Sequence, residues 1–406
     1  MVRVVFVHPD LGIGGAERLV VDAALALKRK GHDVHFFTAH HDPSHCFTET
    51  SDGQLKVTCI GDWLPRSTFG MLAAFWAYIR MVYVALYLVL ISGVSYEVVF
   101  VDQISACIPF LRLKHSKIIF YCHFPDQLLT QRKSLLKKIY RYFLDNLEEK
   151  TTGYADCILV NSHFTASVFK DTFKSIKAAP SVLYPSLDFN KFDEYAEITL
   201  KEANLHIPGE CIFLSLNRYE RKKNLGLALE SLKVLLGMLE EDEKSDIHLV
   251  IAGGYDERVQ ENIDHFNELT SMAKGLGISE KITFLKSPSD KEKIALLRCA
   301  RCLVYTPDKE HFGIVPIESM YVGTPVIAVN SGGPKETVVN GETGILCNQA
   351  PESFADAMHS FVKDIGEKKF MGKAGHNRVV NNFSFLKFSE HLDYIVQGLM
   401  DERKQR

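Results

Sequence analysis

Short apolar runs recur along this chain with helical stretches between most of them, and this alternation constrains the fold more than any other feature. In the first half, Val2–His8, Asp33–Thr38, Val98–Val101, Lys117–Cys122 and Cys157–Val160 read as strands. Ile212–Leu216, His248–Ala252, Ile282–Leu285, Cys302–Tyr305 and Pro325–Ala328 form a second set. Strands separated by helices are joined by crossovers and pair in parallel, which predicts an α/β fold with two doubly wound, Rossmann-like sheets. The polar stretch between Tyr184 and Pro208 carries Pro185, Pro208 and Gly209 at its edges and marks the join. The expected domains are 1–190 and 208–385, with a last helix at 386–406 returning toward the first domain. Ligands of open α/β sheets lie outside the carboxyl ends of the strands. The loops after His8, Cys122, Leu216, Ala252 and Tyr305 are therefore where chemistry is expected.

Composition narrows the function classes. The 406 residues are 46% apolar and 24% charged, with 47 basic against 50 acidic side chains. Such a chain buries ordinary globular cores, and a net charge of −3 lacks the cationic excess that a nucleic-acid-binding face requires. Nine cysteines scattered from Cys46 to Cys347 suit free thiols in a reducing compartment, so the domains are expected to face the cytosol. The N-terminus reads as a strand followed by a glycine turn, not as a secretory leader.

One segment is unusual. Phe69 to Tyr96 contains a single charge, Arg80, followed by an uncharged run from Met81 to Ile91. A spanning helix needs about 20 apolar residues, so this stretch is borderline. A core helix is one reading; a membrane-embedded or interface-lying helix, with Trp76, Tyr78 and Tyr83 near headgroups, is the favoured one. The run Arg132–Arg141 reads as an amphipathic basic helix able to meet anionic lipid or simply to face water.

Three elements carry candidate chemistry. In His8-Pro-Asp-Leu-Gly-Ile-Gly-Gly-Ala-Glu-Arg18, Gly14 and Gly15 allow close backbone approach to a ligand at a helix N-terminus. It is not a dinucleotide fingerprint, because Glu17 stands where its third glycine belongs. In Asn217-Arg-Tyr-Glu-Arg-Lys-Lys-Asn224, Arg218 and Lys223 place cations near a helix start and suit a diphosphate. Gly253 and Gly254 end the next strand on the same edge. The most specific element is Glu310-His-Phe-Gly-Ile-Val-Pro-Ile-Glu318. With a helix beginning near Phe312, the first amides could bind phosphate while Glu310 and Glu318 accept hydrogen bonds from sugar hydroxyls, an arrangement that suits a sugar nucleotide.

Gly14-Gly15-Ala-Glu-Arg18, Arg218 with Lys223, and the E-x7-E element Glu310 to Glu318 resemble the retaining, nucleotide-sugar-dependent glycosyltransferases of family 4, whose GT-B fold sets two Rossmann-like domains about a central cleft. The resemblance covers nearly the whole chain. More closely, Val7–Arg18, Tyr121-Cys-His-Phe-Pro-Asp126 and Glu310–Glu318 resemble the dolichol-pathway mannosyltransferases of the endoplasmic reticulum. That likeness implies GDP-mannose as donor, no further cofactor, and transfer of α-1,3 and α-1,6 mannose to a dolichyl-diphosphate-linked Man-GlcNAc2 acceptor. It also implies residence at the endoplasmic reticulum membrane, with other mannosyltransferases of the pathway as partners.

Carried over residue by residue, the resemblance has Arg218 and Lys223 hold the diphosphate, assisted by the amides of Gly313 and Ile314. Glu310 meets the mannose, Glu318 the ribose, and Gly253 and Gly254 line the donor site. Gly14 and Gly15 belong to the acceptor-side loop, and His123 faces the donor sugar or the acceptor. Asn217-Arg-Tyr replaces the more common Gly-Arg-Leu and keeps the cation. No Asp-x-Asp pair is present, so a metal-independent mechanism is expected. Two rivals stay open: a sugar-nucleotide 2-epimerase of the same fold, and an inactive membrane scaffold. Cys299-Ala-Arg-Cys302 has redox spacing but does not open a helix after a strand, and the sequon Asn382-Phe-Ser384 would stay unmodified on the cytosolic side.

Overall fold

β-branched and aromatic residues dominate the apolar runs, as suits strands covered on both faces by helices. The computed structural model describes residues 1–68, 72–130, 132 and 134–404. One unit combines Met1–Ser186 with the segment from Phe385 onward. Its parallel sheet contains β1 (Arg3–His8), β2 (Asp33–Thr38), β3 (Lys56–Cys59), β4 (Val98–Asp102), β5 (Lys117–Cys122), β6 (Cys157–Val160) and β7 (Ser181–Val182). Their order is β3-β2-β1-β4-β5-β6-β7.

Alternation along β1 divides the core. Val4 and Phe6 face one side with Phe36 and Phe100, under the helices Gly15–Arg29 and Phe385–Lys404. Val5 and Val7 face the other, under Met81, Val84 and Leu88 of the helix Ala73–Leu90. That helix is long and apolar enough to cross a membrane, yet 39% of it is buried in the protein. Arg80, its one charge, is buried too and donates from Nη2 to the Ala39 carbonyl at 2.9 Å. The helix is thus laid on the sheet along one stripe, as the core reading expects for that stripe. Phe69, Gly70 and Met71 lie outside the described residues.

The expected basic helix needs a correction. It runs from Leu135 to Thr152, and Arg141 is only 2% exposed rather than on a solvated face, because Asp126 and Asp145 each hold it at 2.8 Å. Lys133 lies outside the described residues.

The second unit, Leu187–Ser384, contains β8 (Cys211–Leu216), β9 (Ile247–Gly253), β10 (Ile282–Lys286), β11 (Cys302–Tyr305), β12 (Val326–Val329) and β13 (Gly344–Cys347), in the order β10-β9-β8-β11-β12-β13. The polar stretch before Pro208 belongs to this unit from Leu187 onward. Three strands absent from the expectation, β3, β7 and β13, are sheet edges with a single neighbour each. In each sheet the order reverses beside the first strand, between β1 and β4 and between β8 and β11. These switch points open crevices at the carboxyl ends. Cys299 ends a helix and Cys302 opens β11; burial pushes the Cys299 thiol up to about 11 and that of Cys302 well above its ordinary value, which leaves no thiolate for redox chemistry.

Candidate active site

In the second unit, β8 leads into Asn217 and Arg218 at the switch point. The turn Arg221–Lys223 ends at Asn224, whose φ of 49° starts the helix Leu225–Met238. The four cations of this loop have different partners. Arg221 reaches Glu268 at 2.5 Å, while Arg218 and Lys222 share Glu220 at 2.9 and 3.0 Å. Only Lys223 turns to Glu310, forming an ion pair in which the side chains are 12% and 20% exposed. The Thr306 hydroxyl donates to the Lys223 carbonyl at 2.8 Å and ties this turn to the end of β11.

Glu310 sits in the loop after β11 and is braced by the loop after β12. Gly333 N–H donates to the Glu310 carbonyl at 2.7 Å, and Lys309 N–H donates to Ser331 Oγ at 3.0 Å. Burial pushes the Glu310 carboxyl upward, but the Lys223 ammonium outweighs it and holds the group below the usual carboxylate range. The Tyr305 hydroxyl adds a longer bond at 3.4 Å. Gly313 (φ +84°) then caps the helix Ile314–Tyr321, which begins two residues later than Phe312. Its free amides follow Glu310 directly, and such a helix end attracts anions. Glu318 lies on this helix and is held by Lys293 at 3.0 Å.

Gly253 and Gly254, at the end of β9, are held small by the neighbouring loop. A Cβ at Gly253 (φ +152°) would come within 1.9 Å of the Asn217 carbonyl oxygen, and one at Gly254 within 3.1 Å of the Arg218 side chain. Their smallness lets two loops meet and seats Arg218, so their first partner is the protein itself.

In the first unit, the switch point holds a polar chain of which the motif reading named only His123 as a site residue. His8 ends β1 and Asp102 ends β4, with His8 Nδ1 and Asp102 Oδ1 2.6 Å apart and both side chains fully buried. The other oxygen of Asp102 receives His123 Nε2, at 3.2 Å, from the end of β5. Glu17 of the helix Gly15–Arg29 approaches His8 Nε2 at 3.8 Å, and a Cβ at Gly14 would strike the Glu17 carboxylate at 2.2 Å. Gly14 therefore makes room for Glu17, while Gly15 faces open space. Burial alone would neutralise His8, but Asp102 and Glu17 raise its pKa to about 10. Asp102, although buried, is held below its ordinary value by His8 and His123. The signal available in the sequence was position: a histidine and an aspartate, each the last residue of an otherwise apolar strand.

Among the described residues, no group of three His, Cys, Asp or Glu side chains is arranged to hold a metal ion. What the second unit offers is a cation at a switch point, a carboxylate beside it and a helix N-terminus, which together can bind an anionic leaving group next to a hydroxyl-rich one.

Comparison with known proteins bears on this geometry. Residues 13–191 match the family described as Glycosyltransferase Family 4, and residues 197–378 match Glycosyl transferases group 1. The chain is 52% identical to Alpha-1,3/1,6-mannosyltransferase ALG2 of Homo sapiens over 404 residues, covering 98% of this chain and 96% of the relative. It is 46% identical to the protein of that name from Dictyostelium discoideum, covering 98% of each. Among solved structures, the sucrose-phosphate synthase of Thermosynechococcus elongatus superposes with a TM-score of 0.76 at 21% identity, covering 99% of this chain and all of that one, a likeness of fold.

Proposed function

The chain belongs to the alpha-1,3/1,6-mannosyltransferases of glycosyltransferase family 4, and from that premise we propose that it moves mannose from GDP-mannose, with retention, onto a dolichyl-diphosphate-linked Man-GlcNAc2 oligosaccharide. The observation that carries the donor-site reading is the Lys223–Glu310 pair beside the N-terminus of Ile314–Tyr321. Negative charge grows on the departing diphosphate, so preorganised donors facing it supply most of the rate. Lys223, Arg218 and the amides of Gly313 and Ile314 take that role; Glu310 passes from Lys223 to the mannose hydroxyls as the diphosphate takes the ammonium. Glu318, steadied by Lys293, accepts from the ribose, and His123 meets a sugar hydroxyl, with Gly14 and Gly15 on the acceptor side. Neither the 2-epimerase nor the inactive scaffold is favoured by relatives of this similarity.

The same reading places the protein on the cytosolic face of the endoplasmic reticulum membrane. The helix Leu135–Thr152 exposes Leu135, Leu136, Ile139 and Phe143 beside Lys137 and Lys138, a pattern suited to lying at a charged lipid surface. Between it and Ala73–Leu90 runs an apolar groove of about 610 Å³, lined by Phe75, Tyr78, Val82, Phe110, Phe143 and Leu147. Both apolar faces belong to one unit.

The test is transfer itself. The full chain, incubated with GDP-mannose and the one-mannose or two-mannose lipid-linked acceptor, should add α-1,3 and α-1,6 mannose detectable by mass spectrometry. Arg218→Ala and Glu310→Ala should depress both transfers together, by about a hundredfold or more. A variant that abolished one linkage and spared the other would defeat the single-donor-site reading.

A further inference from the structure

The switch point of the first sheet holds a charged pair that nothing in the donor-site chemistry uses. His8 and Asp102 are completely buried, and a buried ion pair of this kind is weak as a device for stability, because desolvation offsets most of its attraction. Its geometry suits another purpose. Asp102 has two oxygens with two histidines on them: Oδ1 takes His8 Nδ1 at 2.6 Å and Oδ2 takes His123 Nε2 at 3.2 Å. A carboxylate only accepts, so the proton of His123 that faces it must sit on Nε2. The His123 ring is packed at 4.8 Å from Tyr121, and its carbonyl takes the Asn161 side-chain amide at 3.1 Å, so both ring and backbone are held. His123 alone of the three is partly open, with 23% of its side chain exposed.

We propose that Asp102 is the positioning residue for His123, fixing its Nε2–H inward so that Nδ1 is presented outward as a hydrogen-bond acceptor for a sugar hydroxyl, and that His8 is the counter-charge that lets Asp102 do so. This rests on the mannosyl-transfer reading for the identity of the hydroxyl, but not for the state of the ring. The need for His8 follows from electrostatics. A carboxylate in a fully buried place is costly unless it is paired with a cation. A fixed cation on Oδ1 supplies that pairing and leaves Oδ2 for the orienting hydrogen bond to His123. Both ring nitrogens of His8 face carboxylates, Asp102 on one side and Glu17 on the other, which keeps His8 charged. The remaining titratable neighbours are silent: burial pushes the Cys107 thiol up to about 12 and the Tyr121 hydroxyl well above its ordinary value.

The experiment combines long-range 15N NMR of histidine-labelled full chain with the rate of mannosyl transfer. The wild type should show His123 protonated on Nε2. In Asp102→Asn, the amide can donate and should move the proton to Nδ1, with transfer falling about 10² to 10⁴-fold, as when asparagine replaces the aspartate behind a catalytic histidine in serine proteases. Affinity for GDP alone, read by calorimetry, should stay within about twofold, since its contacts lie in the other unit. A tautomer that changes while GDP affinity is kept is a result that a merely structural role would not produce. An unchanged tautomer in Asp102→Asn or a full transfer rate in that variant would overturn the proposal. Absence of transfer in the wild type would instead defeat the mannosyltransferase reading, while the tautomer measurement would still decide this one.

Discussion

Glu310→Gln separates binding of the leaving group from transfer of the sugar. In the structure Glu310 neutralises Lys223 inside a site where the two side chains are 12% and 20% exposed in the order lysine, glutamate. Glutamine keeps the shape and removes the charge, so the ammonium loses its partner. A partly buried ion pair broken on one side costs about 2 kcal/mol here, less than the 3–5 kcal/mol of a fully buried one, or about 4–8 °C in the melting of a unit this size. For GDP the effect has the opposite sign. The diphosphate no longer competes with a carboxylate for Lys223, and a freed charge-assisted hydrogen bond worth about 1–2 kcal/mol tightens GDP about 5- to 30-fold. Transfer should nevertheless fall about 10² to 10³-fold, because the carboxylate proposed to orient the mannose is gone. Calorimetry with GDP and a radiolabelled mannose assay on the same preparation read the two numbers. GDP affinity lost in parallel with transfer would refute the reasoning, since it would make Glu310 a scaffold for the loop rather than a competitor for Lys223.

The His8–Asp102 pair predicts a stability window. The raised pKa of His8 contributes stability fully below the ordinary histidine value of about 6.5 and loses it as pH climbs through about 10; the lowered pKa of Asp102 contributes above the ordinary carboxylate range and loses it in acid. The melting-temperature gap between wild type and His8→Gln should therefore be widest below about pH 6.5 and shrink steadily from there to about pH 10, and a gap that widened over that range would contradict the pairing. Chelation should leave transfer largely intact, because side-chain cations and helix amides face the diphosphate; complete loss in EDTA restored by Mn²⁺ or Mg²⁺ would disprove this. Membrane attachment should survive carbonate or high-salt washing in the wild type and weaken in Phe143→Asp with Leu147→Asp, both side chains being exposed, 67% and 41%. Full release of the wild type by salt alone would show that charge, not apolar burial, holds it.

Local pattern carried the architecture, because strands buried on both faces must be apolar runs and the crossovers between parallel strands must be long. Ten of the thirteen strands announce themselves this way; β3, β7 and β13 do not, because an edge strand has one neighbour and can be short or mixed in composition. The Glu310 to Glu318 element was legible for a related reason: its residues are close in sequence, so loop, cap and helix arrange them with little outside help. The pattern puts the helix start two residues early, near Phe312, whereas the left-handed Gly313 caps Ile314–Tyr321.

Contacts between distant segments had no such signature. Whether Ala73–Leu90 covers a sheet or meets lipid depends on which stripe of an almost uniformly apolar helix finds a partner, and the buried Arg80 shows that one stripe did. Arg141 looks like a solvated cation until Asp126 and Asp145 are folded against it. The sequence by itself determined the two parallel sheets and the loops at their carboxyl ends, since periodicity and short-range spacing are written in adjacent positions. Only the tertiary structure decided that Lys223 meets Glu310 across 87 residues and that His8 meets Asp102 across 94, because strand adjacency at a switch point is set by how the whole sheet packs.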